Sequence, residues 1–368
     1  MTLLISALAF LLLLSFLVLI HELGHFAVAR WCGVEVEEFG FGLPPPVKTL
    51  FVKGGTRFSF NWIPFGGFVR LKGENAIDER DRTAPGSFGG ASIPARIAIL
   101  GAGVAMNFIF AMVIFTLGFS LWGWTPTYLS LDQLNGAAAR GEIRLDPGVR
   151  IAALVDGGTA AAAKIPTPSL LLSIDGRPMY APTEVVDAQK DKTTVTYVLR
   201  VLGEATERTV TLPVVAGKTG VDLAYDPQVN SPPRSVVTSV ILSLREAHMM
   251  TVQTAIGVAH LAVSLVSRAE VPEGITGIVG IAVLTHDSLR EGFMHYLRLI
   301  AVLSLSLAVL NIFPFPALDG GRLVFVLFEW LCGRPAPRNV ELATNAVGFF
   351  LLIGLILVIT YNDILHLF

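Results

Sequence analysis

Near the start of the chain, His21-Glu22-Leu23-Gly24-His25 carries the first recognisable chemistry. On a helix, residues i and i+4 share a face, so both imidazoles can reach one metal ion. Glu22 lies between them and need not ligate. It is placed to take a proton from a water that the metal activates. Zinc brings the pKa of such a water to about 7, which makes hydroxide available at neutral pH. The competing explanation is a polar cap that ends an apolar helix at the membrane surface. The setting argues against a mere cap, because twenty residues without a charge precede His21. A charge at the centre of a membrane span costs about 2.5–3.5 kcal/mol on insertion scales, and a bound cation compensates Glu22 for it.

A catalytic zinc ion takes three protein ligands and keeps one position open. Asp319 is the best candidate for the third. It stands in Asn311-Ile-Phe-Pro-Phe-Pro-Ala-Leu-Asp-Gly320 at the end of an apolar stretch. Pro314 and Pro316 break a helix there, and Gly320 and Gly321 permit a tight turn or close packing. Asp319 could instead cap the next helix; its pairing with the histidine motif favours ligation. Two histidines and a carboxylate also suit iron, so zinc is an expectation from ligand type. His248, His260, His286, His295 and His366 lack ligand spacing and are expected at surfaces or interfaces. Asn107 and Asn311 are amides within apolar stretches. Interhelical hydrogen bonding explains such residues at about 0.6 kcal/mol each, while the nearness of Asn311 to Asp319 suggests a substrate contact. Cys32 and Cys332 cannot form a disulfide framework and read as free thiols.

These residues must be positioned by elements inside a bilayer. The chain is 53% hydrophobic and only 15% charged, against about 25% charged in soluble proteins. A net charge of −2 gives no reason to expect nucleic-acid binding. Spans need roughly 20 mostly apolar residues. The expected fold is a polytopic α-helical membrane protein with about four transmembrane helices, a membrane-associated β-hairpin region and one extracytoplasmic α+β domain. Residues 1–30 form the first span, with the histidine pair. Residues 31–95 form a cytosolic-side loop containing β-structure that dips into the membrane, and 96–123 form the second span. Residues 124–235 form the extracytoplasmic domain. Residues 236–292 are interrupted by Arg245, Glu246 and His248 and read as an amphipathic interfacial segment; a fifth span there stays open. Residues 293–316 are the third span, 317–345 the Asp319 motif with a cytosolic loop, and 346–361 the fourth span.

Basic residues in short loops set orientation. Arg30, Lys48, Lys53, Arg57, Arg70, Lys72, Arg80, Arg82 and Arg96 fall between the first two spans, and Arg322, Arg334 and Arg338 between the last two. Both loops are expected in the cytosol and both termini outside. The uncharged first 20 residues read as a retained span, because they lack a basic n-region and a cleavage site.

Together these motifs resemble the site-2 protease (M50-type) family of intramembrane zinc metalloproteases. Within it, the bacterial branch that releases sigma-factor regulators is most similar. The resemblance covers most of the chain: HELGH at 21–25, FGFG at 39–42, IPFGGFVRL at 63–71, NFIFA at 107–111, TGIVGIA at 276–282 and NIFPFPALDGG at 311–321. It implies one zinc ion held by His21, His25 and Asp319, with Glu22 as general base. It implies substrates that are themselves transmembrane helices, single-span proteins such as anti-sigma factors, unwound locally for hydrolysis in a bacterial inner membrane. An opened peptide added as a strand near Gly66 and Gly67 would be held by its backbone; Asn61, in the same stretch, and Asn311 are further substrate-binding candidates. The resemblance also makes the extracytoplasmic domain PDZ-like, at about 144–216. Pro168-Ser169 stands where the family usually has Gly-Asp, and Val104 where a proline is common after Gly103.

Two other functions compete. A multipass metal or solute transporter would use the histidine pair as a transport site, but transporters often show internal repeats and none is evident here. A non-catalytic membrane scaffold would have little use for Glu22.

Overall fold

The computed structural model describes residues 3–74, 76–128, 130–146, 148–201, 206–226, 228–268, 270–272 and 274–365; His366 lies outside them. The chain forms two compact units, Met1–Gly118 with Val236–Phe368, and Phe119–Ser235.

In the first unit, the uninterrupted apolar run at the start becomes α1 (Leu3–Trp31). A hairpin follows, β1 (Val36–Lys53) and β2 (Thr56–Leu71), then the short α2 (Glu79–Arg82) and the long α3 (Ile93–Leu121). The hairpin turns at Gly54-Gly55, where positive φ values of 59° and 83° suit the tight turns that join twisted strands. Its register shifts between Phe41↔Gly67 and Leu43↔Ile63. Three residues of β2 thus oppose one of β1, a bulge of the kind that re-aims a strand beside a site. Val47, Phe51, Trp62 and Ile63 expose apolar side chains.

The second unit holds α4 (Leu131–Ala139), β3 (Arg144–Asp146), β4 (Val149–Leu154), α5 (Thr159–Ala162), β5 (Ser169–Ile174), β6 (Arg177–Pro178), α6 (Pro182–Gln189), β7 (Thr194–Val201), β8 (Glu207–Pro213), β9 (Val221–Tyr225) and β10 (Gln228–Asn230). Its main sheet is antiparallel in the order β8-β7-β5-β4-β9, with β6 on β5. Alternate residues of β7 (Val195, Tyr197, Leu199) turn inward onto Ile151, Leu171 and Leu212, the period of two that a half-buried strand requires. Tyr197 keeps its hydroxyl satisfied inside that core: Gln189 donates to it at 2.8 Å, and Thr219 lies 2.8 Å away.

The first unit resumes with α7 (Val236–Arg268), α8 (Ile278–Glu291), α9 (Phe293–Ile312), α10 (Asp319–Cys332) and α11 (Arg338–Leu365). Five of these helices (α1, α3, α7, α9 and α11) are long and apolar enough to cross a membrane, one more than the four expected. The addition is α7. Its charges broke the apolar pattern, yet Glu246 is fully buried there and accepts a hydrogen bond from Arg298 of α9 at 3.2 Å.

Side-chain contacts fix helix directions. Tyr296 donates to the Ala9 carbonyl, and Asn311 lies beside His21, so α9 runs parallel to α1. Ile99 lies beside His25 and Phe110 packs on Phe16, so α3 runs antiparallel to both. At the end of the bundle where α1 begins, Ser6 meets His286 of α8 at 2.7 Å. At that same end Asp363, near the end of α11, accepts from the backbone N–H groups of Gly277 and Gly280 at 3.1 and 2.8 Å. A carboxylate on the N-terminus of α8 is favoured by the unpaired amides and dipole there.

Candidate metal centre

Three elements converge on the site. The last third of α1 brings His21 and His25, which are 5% and 8% exposed. The approach of α3 is possible because two glycines face each other's helices. An added Cβ at Gly24 would lie 2.3 Å from the Ala102 carbonyl oxygen. One at Gly103 would lie 2.5 Å from His25 Nε2 and 2.7 Å from His21 Nε2. The third element is α10. Helix α9 stops at Ile312 because Phe313 precedes a proline and is extended, ψ 139°. Ala317, at φ 74°, then turns the chain into α10. Leu318 occupies the N-cap position with no side-chain cap. Asp319 is therefore not the cap; its carboxylate faces the histidines.

The geometry is that of a ligand set. Asp319 Oδ2 lies 2.8 Å from His21 Nε2 and 3.1 Å from His25 Nε2, and the two imidazole nitrogens are 3.1 Å apart. Donors around a tetrahedral zinc ion at roughly 2.0–2.1 Å are separated by about 3.3 Å, so this triangle is close to the right size. Among the described residues these three form the one His/Cys/Asp/Glu group close enough to hold a metal. Asp319 supplies a carboxylate oxygen and the histidines two ring nitrogens to one point. An ionised oxygen and neutral imidazole nitrogens are the donor types zinc takes. His25 is further oriented by Nδ1, 2.8 Å from the Ile99 carbonyl. Donation there leaves Nε2 with its lone pair toward the site.

Glu22 stands outside the donor triangle and lines a cavity of about 120 Å³ with His25, Asp319, Phe68, Val69 and Arg322. Strand β2 thus forms one wall of the cavity, and the backbone near it is held on α1: Gly66 N–H donates to Ser15 Oγ at 3.2 Å. Gly67 packs against Leu19 and the Gly40 carbonyl. Asn61 is 1% exposed and donates to the carbonyls of Phe41 and Gly42 at 3.3 and 3.1 Å, so it ties the hairpin together from within. Asn311 Nδ2 lies 3.4 Å from His21 Nε2. Two ion pairs fix α10. Arg322, one turn after Asp319, donates to Glu74, and Arg96 of α3 makes a two-pronged contact with Glu329 at 2.8 and 2.6 Å. Sequence reasoning missed Gly24, Gly103, Glu74 and Arg322; the spacing from Asp319 to Arg322, three residues on one helix face, was the signal available for the last.

A fold of membrane-length helices around a buried His-His-Asp group with an adjoining glutamate defines a membrane metallopeptidase. The description of peptidase family M50 matches residues 9–355, and the chain belongs to that family. It is similar over nearly its whole length to three bacterial proteins, each named "Putative zinc metalloprotease". The Fusobacterium nucleatum protein is 30% identical, with 97% of each chain covered. That of Clostridium perfringens is 29% identical, covering 96% of this chain and 97% of its own. That of Agrobacterium fabrum is 28% identical, covering 96% and 94%. The metal that the His-His-Asp group holds is accordingly zinc.

Proposed function

We propose that this protein is an intramembrane endopeptidase that hydrolyses peptide bonds within transmembrane segments of other membrane proteins. The observation that carries the reading is the depth of the site: His21 and His25 belong to a 29-residue apolar helix and meet Asp319 beside the end of a second one. Zinc, when bound, supplies a Lewis acid for the scissile carbonyl and an acidified water. Glu22, in the same cavity but outside the ligand set, takes the proton released as water attacks and hands it to the departing amine. The Asn311 amide donates toward the carbonyl oxygen as charge develops there. A helix conceals its carbonyls in its own hydrogen bonds, so the substrate must be unwound. The β2 backbone around Gly66 and Gly67 receives the opened peptide as an added strand, and Asn61 keeps that strand in shape.

The cut is the second of two in regulated proteolysis, as in release of an anti-sigma factor or clearance of signal-peptide remnants. The substrate is already trimmed outside, and the Phe119–Ser235 unit, PDZ-like in its antiparallel sheet with the short helices α5 and α6, filters by size. Four helices cross, and α7 lies along the surface. In support, Ser243 of α7 meets Thr116 at 3.0 Å, near the end of α3, and the start of α8 and its His286 lie at that same end of the bundle. The chain between α7 and α8 is too short to make a further crossing comfortable. Both termini then share the extracytoplasmic side of a bacterial inner membrane. The test is cleavage of a detergent-solubilised single-span substrate by wild type and Glu22→Gln. The reading expects zinc in both and cleavage in wild type alone; equal rates would remove it.

A further inference from the structure

Each zinc-ligating imidazole must present a bare Nε2 to the ion, so each must carry its proton on Nδ1 and needs an acceptor there. For His25 that acceptor is the Ile99 carbonyl, one contact from α3. For His21 the neighbours of Nδ1 are two amides, Asn107 Nδ2 and Asn311 Nδ2, each at 3.5 Å. Both present a donor to a position that must itself donate. One of them has to turn.

Asn107 has the spare acceptor. It is fully buried on α3, and its Oδ1 is buried without a hydrogen-bond partner. Its backbone is pinned, because Ser304 of α9 donates to the Asn107 carbonyl at 2.9 Å. Asn311 Nδ2 instead sits almost equally far from both ring nitrogens, 3.5 Å from Nδ1 and 3.4 Å from Nε2, and its amide is the one assigned above to the substrate. A half-turn of the Asn107 carboxamide brings the orphaned oxygen to Nδ1.

We infer that Asn107 is a positioning residue whose carboxamide oxygen accepts the Nδ1–H of zinc-bound His21, doing for that ligand what the Ile99 carbonyl does for His25. One helix, α3, sets the tautomer of both imidazoles. The inference rests on the reading that His21 ligates through Nε2.

The test is zinc affinity by competition with a chromophoric chelator on the full-length purified protein. Losing a partner of this kind weakens metal binding roughly 10- to 100-fold. Asn107→Leu, of similar volume with no acceptor, is expected to lose that much, while Asn107→Asp, a stronger acceptor, holds zinc at least as tightly as wild type. An Asn107→Leu protein that binds zinc like wild type, or an Asn107→Asp protein no better than Asn107→Leu, overturns the inference. His21→Ala separates the two claims: if it too keeps wild-type affinity, the ligand reading fails. Nitrogen NMR of histidine-labelled, zinc-loaded wild type needs no variant to fold. It is expected to show His21 protonated at Nδ1, and an unprotonated Nδ1 overturns the inference.

Discussion

Gly103 offers the sharpest perturbation of the metal centre. A Cβ at this position would lie 2.5 Å from His25 Nε2, and 2.6 and 2.7 Å from His21 Cε1 and Nε2. Ordinary carbon–nitrogen contact begins near about 3.5 Å, so two ligand nitrogens must retreat by most of an ångström. Zinc–ligand distances tolerate about 0.2 Å. Overpacking in a tight interior costs about 1–3 kcal/mol. If the ligand pair bears that strain, zinc affinity falls roughly 5- to 150-fold, at about 1.4 kcal/mol per tenfold. Gly101→Ala is the matched control. It lies two residues away on the same helix, and an added Cβ there meets nothing within 4 Å. The assay is chelator competition on both variants, with helix content checked by circular dichroism. Gly103→Ala is expected to lose zinc while staying helical, and Gly101→Ala to behave as wild type. A Gly103→Ala protein that retains wild-type affinity would refute the proposed α1–α3 packing at the site.

Two further outcomes follow from the surroundings. The Arg96 hydrogen bonds hold the Glu329 carboxyl below its ordinary value of 4.5, against the effect of desolvation. A depressed folded pKa stabilises above the unfolded value and loses its contribution as pH falls through the folded one. Thermal unfolding in detergent should therefore soften below about pH 4.5 in wild type, and more weakly in Glu329→Gln. In the second unit, Tyr197→Phe leaves the buried Gln189 and Thr219 groups without their shared partner. A lost buried partner costs about 1–3 kcal/mol, and faster hydrogen exchange across β7 and β8 is the readout.

What the sequence made legible was the chemistry with short-range grammar. HELGH needs only the helical period to become a ligand pair, and the proline-broken end of α9 announces a turn that delivers Asp319. The capping alternative for Asp319 could not be settled locally, since the choice depends on what α1 brings within 3 Å. Gly103 was invisible for the same reason, because its role exists only where α3 crosses α1. Helix α7 looked interrupted because Glu246 counts as a charge in sequence, whereas in the fold it is paired with Arg298 and buried. Asn61, expected on the substrate side, uses its amide N–H groups within its own hairpin, a pairing that sequence spacing does not reveal. Its neighbours Gly66 and Gly67 lie on the strand that walls the cavity, where the register shift opposite Gly42 sets the local path of the backbone.

The central claim is that one zinc ion joins residues nearly three hundred positions apart. Anomalous diffraction at the zinc edge on crystals of the purified protein tests it most directly. The account predicts one peak within bonding distance of His21 Nε2, His25 Nε2 and an Asp319 carboxylate oxygen. A zinc peak elsewhere, or one bonded to the histidines with Asp319 turned away, would contradict it.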